Sequence, residues 1–407
     1  MFAVKANVLY DGRNKLENAY ILIEGNKIAR IQEEKPDVDI LFEGIVTPAF
    51  IDGHSHIGMA RHGEPSDESE VNDISDVFQP TLNPLDSVYF DDKYFRDAVE
   101  FGVLYSCIVP GSGNLIGGKA IIIRNFAKDR SKALVRDYGY KMALGFNPRS
   151  TLEWKGKRFN TRMGVYALLI EEFENVIRKK RKLELENKEK IRSLKSMLSK
   201  GEITKEEYEE ALAEIEERTA LEFEPHERAL LEILEKKKTL KTHVHKEDDV
   251  YFLIDLVKKF NLNATADHVC DVHRVEVFRS LKEINIPIVY GPIDAFAYKT
   301  ELKHDSYKNV KALIESQVKF ALMSDHPVML ARNLYLQLRY FLFYGYSKEK
   351  AIGIITKEAA EILGLSDVLG TIEAGKLASL IIWNDDPFYF WSKPIAIIAE
   401  GEVIHKE

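Results

Sequence analysis

The sequence predicts an α/β chain of more than one part, on three observations. Short apolar runs ending in polar or charged side chains recur along the middle of the chain, separated by stretches with helical spacing. Both ends instead alternate apolar and polar residues between turn signals, as antiparallel strands do. A third region, from about residue 171 to 238, is dense in Glu and Lys with Leu and Ile at helical spacing.

The first middle strand carries the most chemistry. An apolar run from Ile45 to Ile51 ends in Asp52-Gly53, and His54 and His56 follow one residue apart. In extended chain, positions i and i+2 share a face. Two neutral imidazoles on one face suit zinc or a related metal and leave room for a third protein ligand and a reactive water. The competing reading is a pair of solvated loop histidines. The whole phrase, Gly44-Ile45-Val46-Thr47-Pro48-Ala49-Phe50-Ile51-Asp52-Gly53-His54-Ser55-His56, resembles the first barrel strand of the amidohydrolase superfamily of metal-dependent hydrolases. That family usually has Gly where Ala49 stands here. The resemblance implies a (β/α)8 TIM barrel, which takes roughly 250 residues and so leaves part of a 407-residue chain for other structure.

The remaining elements follow in order. Residues 2–32 read as antiparallel strands with turns at Asp11-Gly12 and Gly25-Asn26, and Leu380–Trp383 and Ile395–Ile398 flank the turn-like Asn384-Asp385-Asp386-Pro387. The two ends resemble the family's small composite β-sandwich, and Gly370 to Leu380 resembles its closing phrase, with Ser379 where Asp is usual. The expected division is 1–48 and 365–407 for the sandwich and 49–364 for the barrel, with a helical insertion at about 174–238. Between Gly58 and Leu85 lies an acidic stretch, read as a solvated loop that sits at the catalytic face of a barrel. Val103–Val109 reads as the second strand. It leads to the glycine-rich Pro110 to Gly118, which is either an anion-holding turn or a tight structural loop.

Tyr138–Leu144 is a further strand containing Lys141. Resemblance places Lys141 where some members carry a carboxylated lysine between two metals; the alternative is a lysine that snorkels to solvent or binds a substrate carboxylate. Arg149 and Arg162 follow, each a candidate fork for a substrate carboxylate or a surface ion pair. In the charged region Thr204 with Glu207 three residues on reads as a capping box, and the opposite charges at i, i+4 describe a solvated helical hairpin. Leu240-Lys241-Thr242-His243-Val244-His245 resumes the barrel pattern. Periodicity does not choose between its histidines; the resemblance favours His243 as the ligand and leaves His245 facing substrate. Ala264 to His268 resembles strand six with its terminal histidine, and Ile286–Pro292 looks like strand seven. Val318 to Asp325 is an apolar strand ending in an acid, as strand eight of the family does. His273 and His304 read as peripheral, and His326 points elsewhere or supports the site.

Composition bounds the function. Hydrophobic residues make up 45% and charged residues 30%, and the net charge of -8 provides no basic footprint for nucleic acid. No stretch is apolar for long enough to span a bilayer, and Met1 to Asn7 lacks the pattern of a leader. Cys107 and Cys270 make no disulfide framework. A cytoplasmic location is expected, with no nucleic-acid or membrane partner. The scarcity of Gln beside many Lys and Glu suits a thermophilic source.

The resemblance implies one or two divalent metals, zinc first, with iron, manganese, nickel or cobalt as alternatives. Its expected ligands are His54, His56, His243, His268 and Asp325, with Lys141 as a carboxylated bridge. Asp325 is expected to move the proton and His268 to complete a second metal or polarise a carbonyl. The expected reaction is hydrolysis of a C–N bond in a cyclic amide, acyl-amino acid or peptide-like small molecule. A deaminase acting on an aminated heterocycle and a metal-free barrel serving as scaffold are the alternatives. A homo-oligomer is compatible with all three.

Overall fold

The computed structural model describes residues 1–73, 75–149, 159–296 and 299–407. The two ends meet in one seven-stranded sheet made of β1 (Phe2–Tyr10), β2 (Lys15–Glu24), β3 (Lys27–Gln32), β4 (Ile40–Pro48), β13 (Leu380–Trp383), β14 (Pro394–Ala399) and β15 (Glu402–Lys406). Its order is β15-β14-β13-β4-β1-β2-β3, antiparallel throughout except for the β1/β4 pair. The sheet rolls over, so that a Cβ added to Gly401 would lie 2.0 Å from the Gly25 carbonyl oxygen. Alternation along β13 serves two cores. Leu380 and Ile382 join Val4, Ile21 and Ile398 in the small core, whereas Ile381 and Trp383 join the barrel core.

The second sheet runs β5 (Phe50–Ser55), β6 (Val103–Ile108), β7 (Ile116–Arg124), β8 (Leu134–Ala143), β9 (Thr239–Val244), β10 (Ala264–His268), β11 (Ile288–Tyr290) and β12 (Phe320–Leu322), each strand beside its sequence neighbours. It closes where the Asp325 amide donates to the His54 carbonyl (3.1 Å) and the His56 amide to the His326 carbonyl (3.2 Å). The barrel departs from the all-parallel expectation at one strand, because β7 is antiparallel to both β6 and β8. Residues 109–115 are too few for a parallel crossover, which needs about a dozen, so β6 turns back directly into β7. The second reversal restores the direction, and β8 runs parallel to β9. The carboxyl ends of β5, β6, β8, β9, β10, β11 and β12 therefore share one rim.

The helices are α1 (Lys93–Glu100), α2 (Arg130–Ala133), α3 (Arg162–Ser199), α4 (Lys205–Leu221), α5 (Pro225–Leu234), α6 (Glu247–Phe260), α7 (Val275–Glu283), α8 (Val310–Ser316), α9 (Arg339–Phe343), α10 (Lys348–Ile354) and α11 (Lys357–Ile362). Helix α6 shows why the barrel helices form. Val250, Leu253, Ile254, Val257 and Phe260 line one buried face, three acids open the first turn, two lysines close the last, and Asn261 ends it in the left-handed conformation. The charged region is helical as expected, and Thr204 and Glu207 form the capping box. It does not project as a whole. Val165, Leu169, Phe173 and Val176 of α3 and Ala229, Leu230 and Ile233 of α5 are buried on the barrel, while α4 buries none of its residues. No helix among the described residues is long and apolar enough to cross a membrane.

Candidate metal centre

Every residue of β5 is buried, as expected of a strand covered on both faces. Gly53 is required there, since a Cβ would stand 2.6 Å from Val289 and 2.8 Å from the Leu322 carbonyl oxygen. The strand thus delivers His54 and His56 to the rim. The backbone carbonyl of Val109 accepts from His56 Nδ1 at 2.7 Å, Asp267 Oδ2 accepts from His54 Nδ1 at 2.6 Å, and the Gly291 carbonyl accepts from His268 Nδ1 at 3.0 Å. Each bond places the ring proton on Nδ1 and leaves Nε2 with its lone pair for a ligand.

Two sets of donors result. His54, His56 and Asp325 form one, with Asp325 Oδ1 3.2 Å from His56 Nε2 and 3.6 Å from His54 Nε2. His243, His245 and His268 form the other, a nitrogen of each ring within 4.8 Å of the other two. The sets adjoin through His54 and His268, whose ring centres are 5.0 Å apart. Lys141 is fully buried beside the first set with Nζ 2.8 Å from His54 Nε2, so the strand lysine does not snorkel. Backbone strain marks the rim. His268 (φ 75°) and Asp325 (φ 49°) both adopt the left-handed region, at a cost of ~1–3 kcal/mol each.

Electrostatics keep the donors in ligand form. Burial, reinforced by neighbouring cations, pushes the pKa values of His54, His243 and His245 well below the usual value, and burial does the same at His268, where Asp325 opposes it. At Asp325 burial raises the carboxyl pKa, but His268, His56 and Lys141 outweigh it and hold the group below the usual range. Burial lowers Lys141 to about 8 against the pull of Asp267 and Asp325. Nδ1 of His245 and Nε2 of His268 are buried without a hydrogen-bond partner. Neutral imidazoles, one ionised carboxylate and orphaned nitrogens fit a divalent transition metal.

A cavity of about 1000 Å³ opens above this floor, walled by Phe146, Arg149, Phe296 and Glu301 among others. Arg149 stands 4.9 Å from the Phe146 ring, and its Nε is buried without a partner. Arg162 also reaches the cavity but is paired with the buried Asp249 at 2.7 Å, the ion-pair alternative of the two expected for it. The glycine-rich turn lines the cavity with Gly111, Ser112 and Gly113 and is also tied into the neighbouring chain. Gly113 donates to Asn72 Oδ1 (2.9 Å) and Gly111 to the Val71 carbonyl (2.8 Å), tying the turn to the acidic loop. His273 and His304 lie together outside the cluster, and His326 packs against Tyr94, 4.5 Å between rings.

Sequence reasoning passed over Asp267, Lys241, Asn147, Lys299 and Glu301. Asp267 Oδ2 takes the His54 bond and the Lys241 ion pair at 2.9 Å, all three side chains fully buried. Strand alternation would send Asp267 and His268 to opposite faces, and the left-handed turn at His268 lets both reach the centre. The adjacent pair of acid and histidine was the available signal. Lys299 and Glu301 form a buried ion pair at 2.9 Å, and Lys299 also donates to Asn147 Oδ1 at 3.0 Å. They belong to a loop that no strand pattern marks.

Fold and site together define a barrel protein with a candidate metal centre at the carboxyl rim of its strands. The amidohydrolase family profile matches residues 171–404, over half of the chain, and the chain belongs to that family. It is 24% identical over 404 residues to the amidohydrolase tasK of Hapsidospora irregularis, covering 94% of this chain and 39% of that protein. The chain therefore spans well under half the length of that relative. It is 25% identical to an imidazolonepropionase of Picrophilus torridus, covering 93% and 89% of the two chains. Among solved structures, an amidohydrolase from Thermotoga maritima superposes with a TM-score of 0.85 at 27% identity over the whole of both chains.

Proposed function

We propose that the protein is a metal-dependent amidohydrolase that cleaves the C–N bond of a cyclic amide, acyl-amino acid or peptide-like small molecule, with zinc as its metal and the cytoplasm as its location. The observation that carries this reading is Asp325, whose Oδ1 faces two imidazoles that are themselves oriented by Nδ1 bonds. The relatives named amidohydrolase and imidazolonepropionase support the reaction class.

His54, His56 and Asp325 would hold one ion and His243 and His268 a second, and the buried Lys141 beside His54, once carboxylated, would add a further oxygen donor. When bound, such an ion lowers the pKa of water and polarises a carbonyl. Asp325 serves as the base. With Oδ1 grouped with the two Nε2 atoms as a donor toward the ion, Oδ2 is the atom that takes the proton from the attacking water and returns it to the leaving nitrogen. Arg149, with its unpartnered Nε and its stack on Phe146, orients a substrate carboxylate by a forked contact.

The test is a metal-loaded screen of cyclic amides, acyl-amino acids, dipeptides and aminated heterocycles, followed by Asp325→Asn on the substrate found. Turnover should fall at least ~100-fold at neutral pH with metal and substrate still bound. Near-normal turnover in a metal-loaded variant would remove Asp325 from the mechanism. Ammonia as the product of an aminated heterocycle would replace amide hydrolysis with deamination.

A further inference from the structure

The family resemblance assigns one histidine to the fifth strand, yet the structure gives His245 the same surroundings as His243. Both follow from β9, where positions i and i+2 share a face. Their exposures are 6% and 4%. Ring centres stand 4.7 Å apart for His243 and His245, 4.8 Å for His245 and His268, and 4.3 Å for His243 and His268, so the three imidazoles form a nearly equilateral triangle. No carboxylate joins this set among the described residues. Two of the three rings carry a buried nitrogen with no partner, Nδ1 of His245 and Nε2 of His268. A buried polar atom left without a partner is costly, and a shared ligand removes that cost.

We propose that His245 is a metal ligand rather than a substrate-facing group, completing with His243 and His268 a three-imidazole site for a divalent ion that prefers nitrogen donors, zinc or cobalt rather than magnesium. The inference rests on the metal-centre reading above. Three neutral nitrogens and no carboxylate suit borderline ions and disfavour hard ones. The site is complete without Lys141, so it fills whether or not that lysine is carboxylated.

Cobalt titration of the metal-free protein tests this, read by elemental analysis and by the visible spectrum, with circular dichroism confirming the fold. Wild type should take two equivalents of Co²⁺, and His245→Gln should weaken one of them by at least ~10-fold while leaving the other unchanged. His245→Cys should regain that equivalent and add a thiolate-to-cobalt absorption band, which a merely structural residue would not produce. The proposal falls if His245→Gln takes up cobalt as wild type does, or if the cysteine variant binds cobalt without the sulfur band. It falls equally if wild type takes a single equivalent that His245→Gln leaves intact, an outcome that spares the metal centre itself. A wild-type protein that takes no cobalt would end the metal-centre reading and this one with it.

Discussion

Asp267 is a buried carboxylate whose charge is met by Lys241 on one side and by the His54 N–H on the other. Removing the lysine leaves an uncompensated buried charge, which costs far more than the pair contributes. Lys241→Met is therefore expected to destabilise the fold by ~3–5 kcal/mol in denaturant unfolding, with Lys241→Arg recovering part of it. An unchanged midpoint in the methionine variant would mean that His54 and Thr265, whose Oγ1 donates to Asp267 Oδ1 at 2.6 Å, satisfy Asp267 without the lysine. A second residue-scale expectation concerns Asp305 at the cavity wall. Burial, Asp271 and Asp294 raise its carboxyl pKa to about 6. From about pH 4, the ordinary carboxylate range, to about pH 6 the folded chain keeps a proton that the unfolded chain has released, so stability falls as pH rises through that window. Asp305→Asn should remove this fall, so the variant gains on wild type between those pH values and holds a constant lead above them. Parallel stability curves for the two proteins would contradict the assignment.

At the scale of elements, α3 and α4 divide into a half that packs and a half that does not. The buried residues of α3 stop at Val176, and α4 has none. Asn187 Nδ2 donates to Thr219 Oγ1 at 2.7 Å, so the two helices are one side chain apart there. Replacing 188–218 by a short flexible loop should leave the melting temperature within a few degrees and the metal content unchanged, because loop-closure entropy changes slowly with length. A large drop in either would show that the outer hairpin supports the barrel. The capping box at Thr204 was legible because it is a local pattern of four residues. The reversal of β7 was not, because Ile116–Arg124 has the apolar character of any buried strand and its direction follows only from the shortness of its connections.

The whole molecule is joined at Trp383. This fully buried residue ends β13, donates from its indole to Thr47 Oγ1 at 3.1 Å, and lies 6.1 Å from the ring of Phe50, the first residue of the strand that carries His54 and His56. The composite sheet and the metal centre thus share one packing unit. Trp383→Ala should cost ~3–5 kcal/mol, and unfolding should remain a single transition in which cobalt is released together with the loss of secondary structure. Two separated transitions would show that sheet and barrel fold independently.

The sequence by itself determined the strand-like runs and the β-rich ends through local periodicity, and through its resemblance to a known family the small domain built from both ends and the order His-x-His, His, His, Asp across separate strands. It left three matters to the tertiary structure. Lys141 reaches His54 and Asp267 reaches the same ring across 213 positions of chain, contacts that exist only because the barrel closes. Arg162 turns to Asp249 while Arg149 keeps an unpartnered nitrogen, a difference set by which acid happens to be buried nearby. His245 joins His243 and His268 because the strand ends beneath His268, and a two-residue repeat places two side chains on one face without saying what waits opposite them.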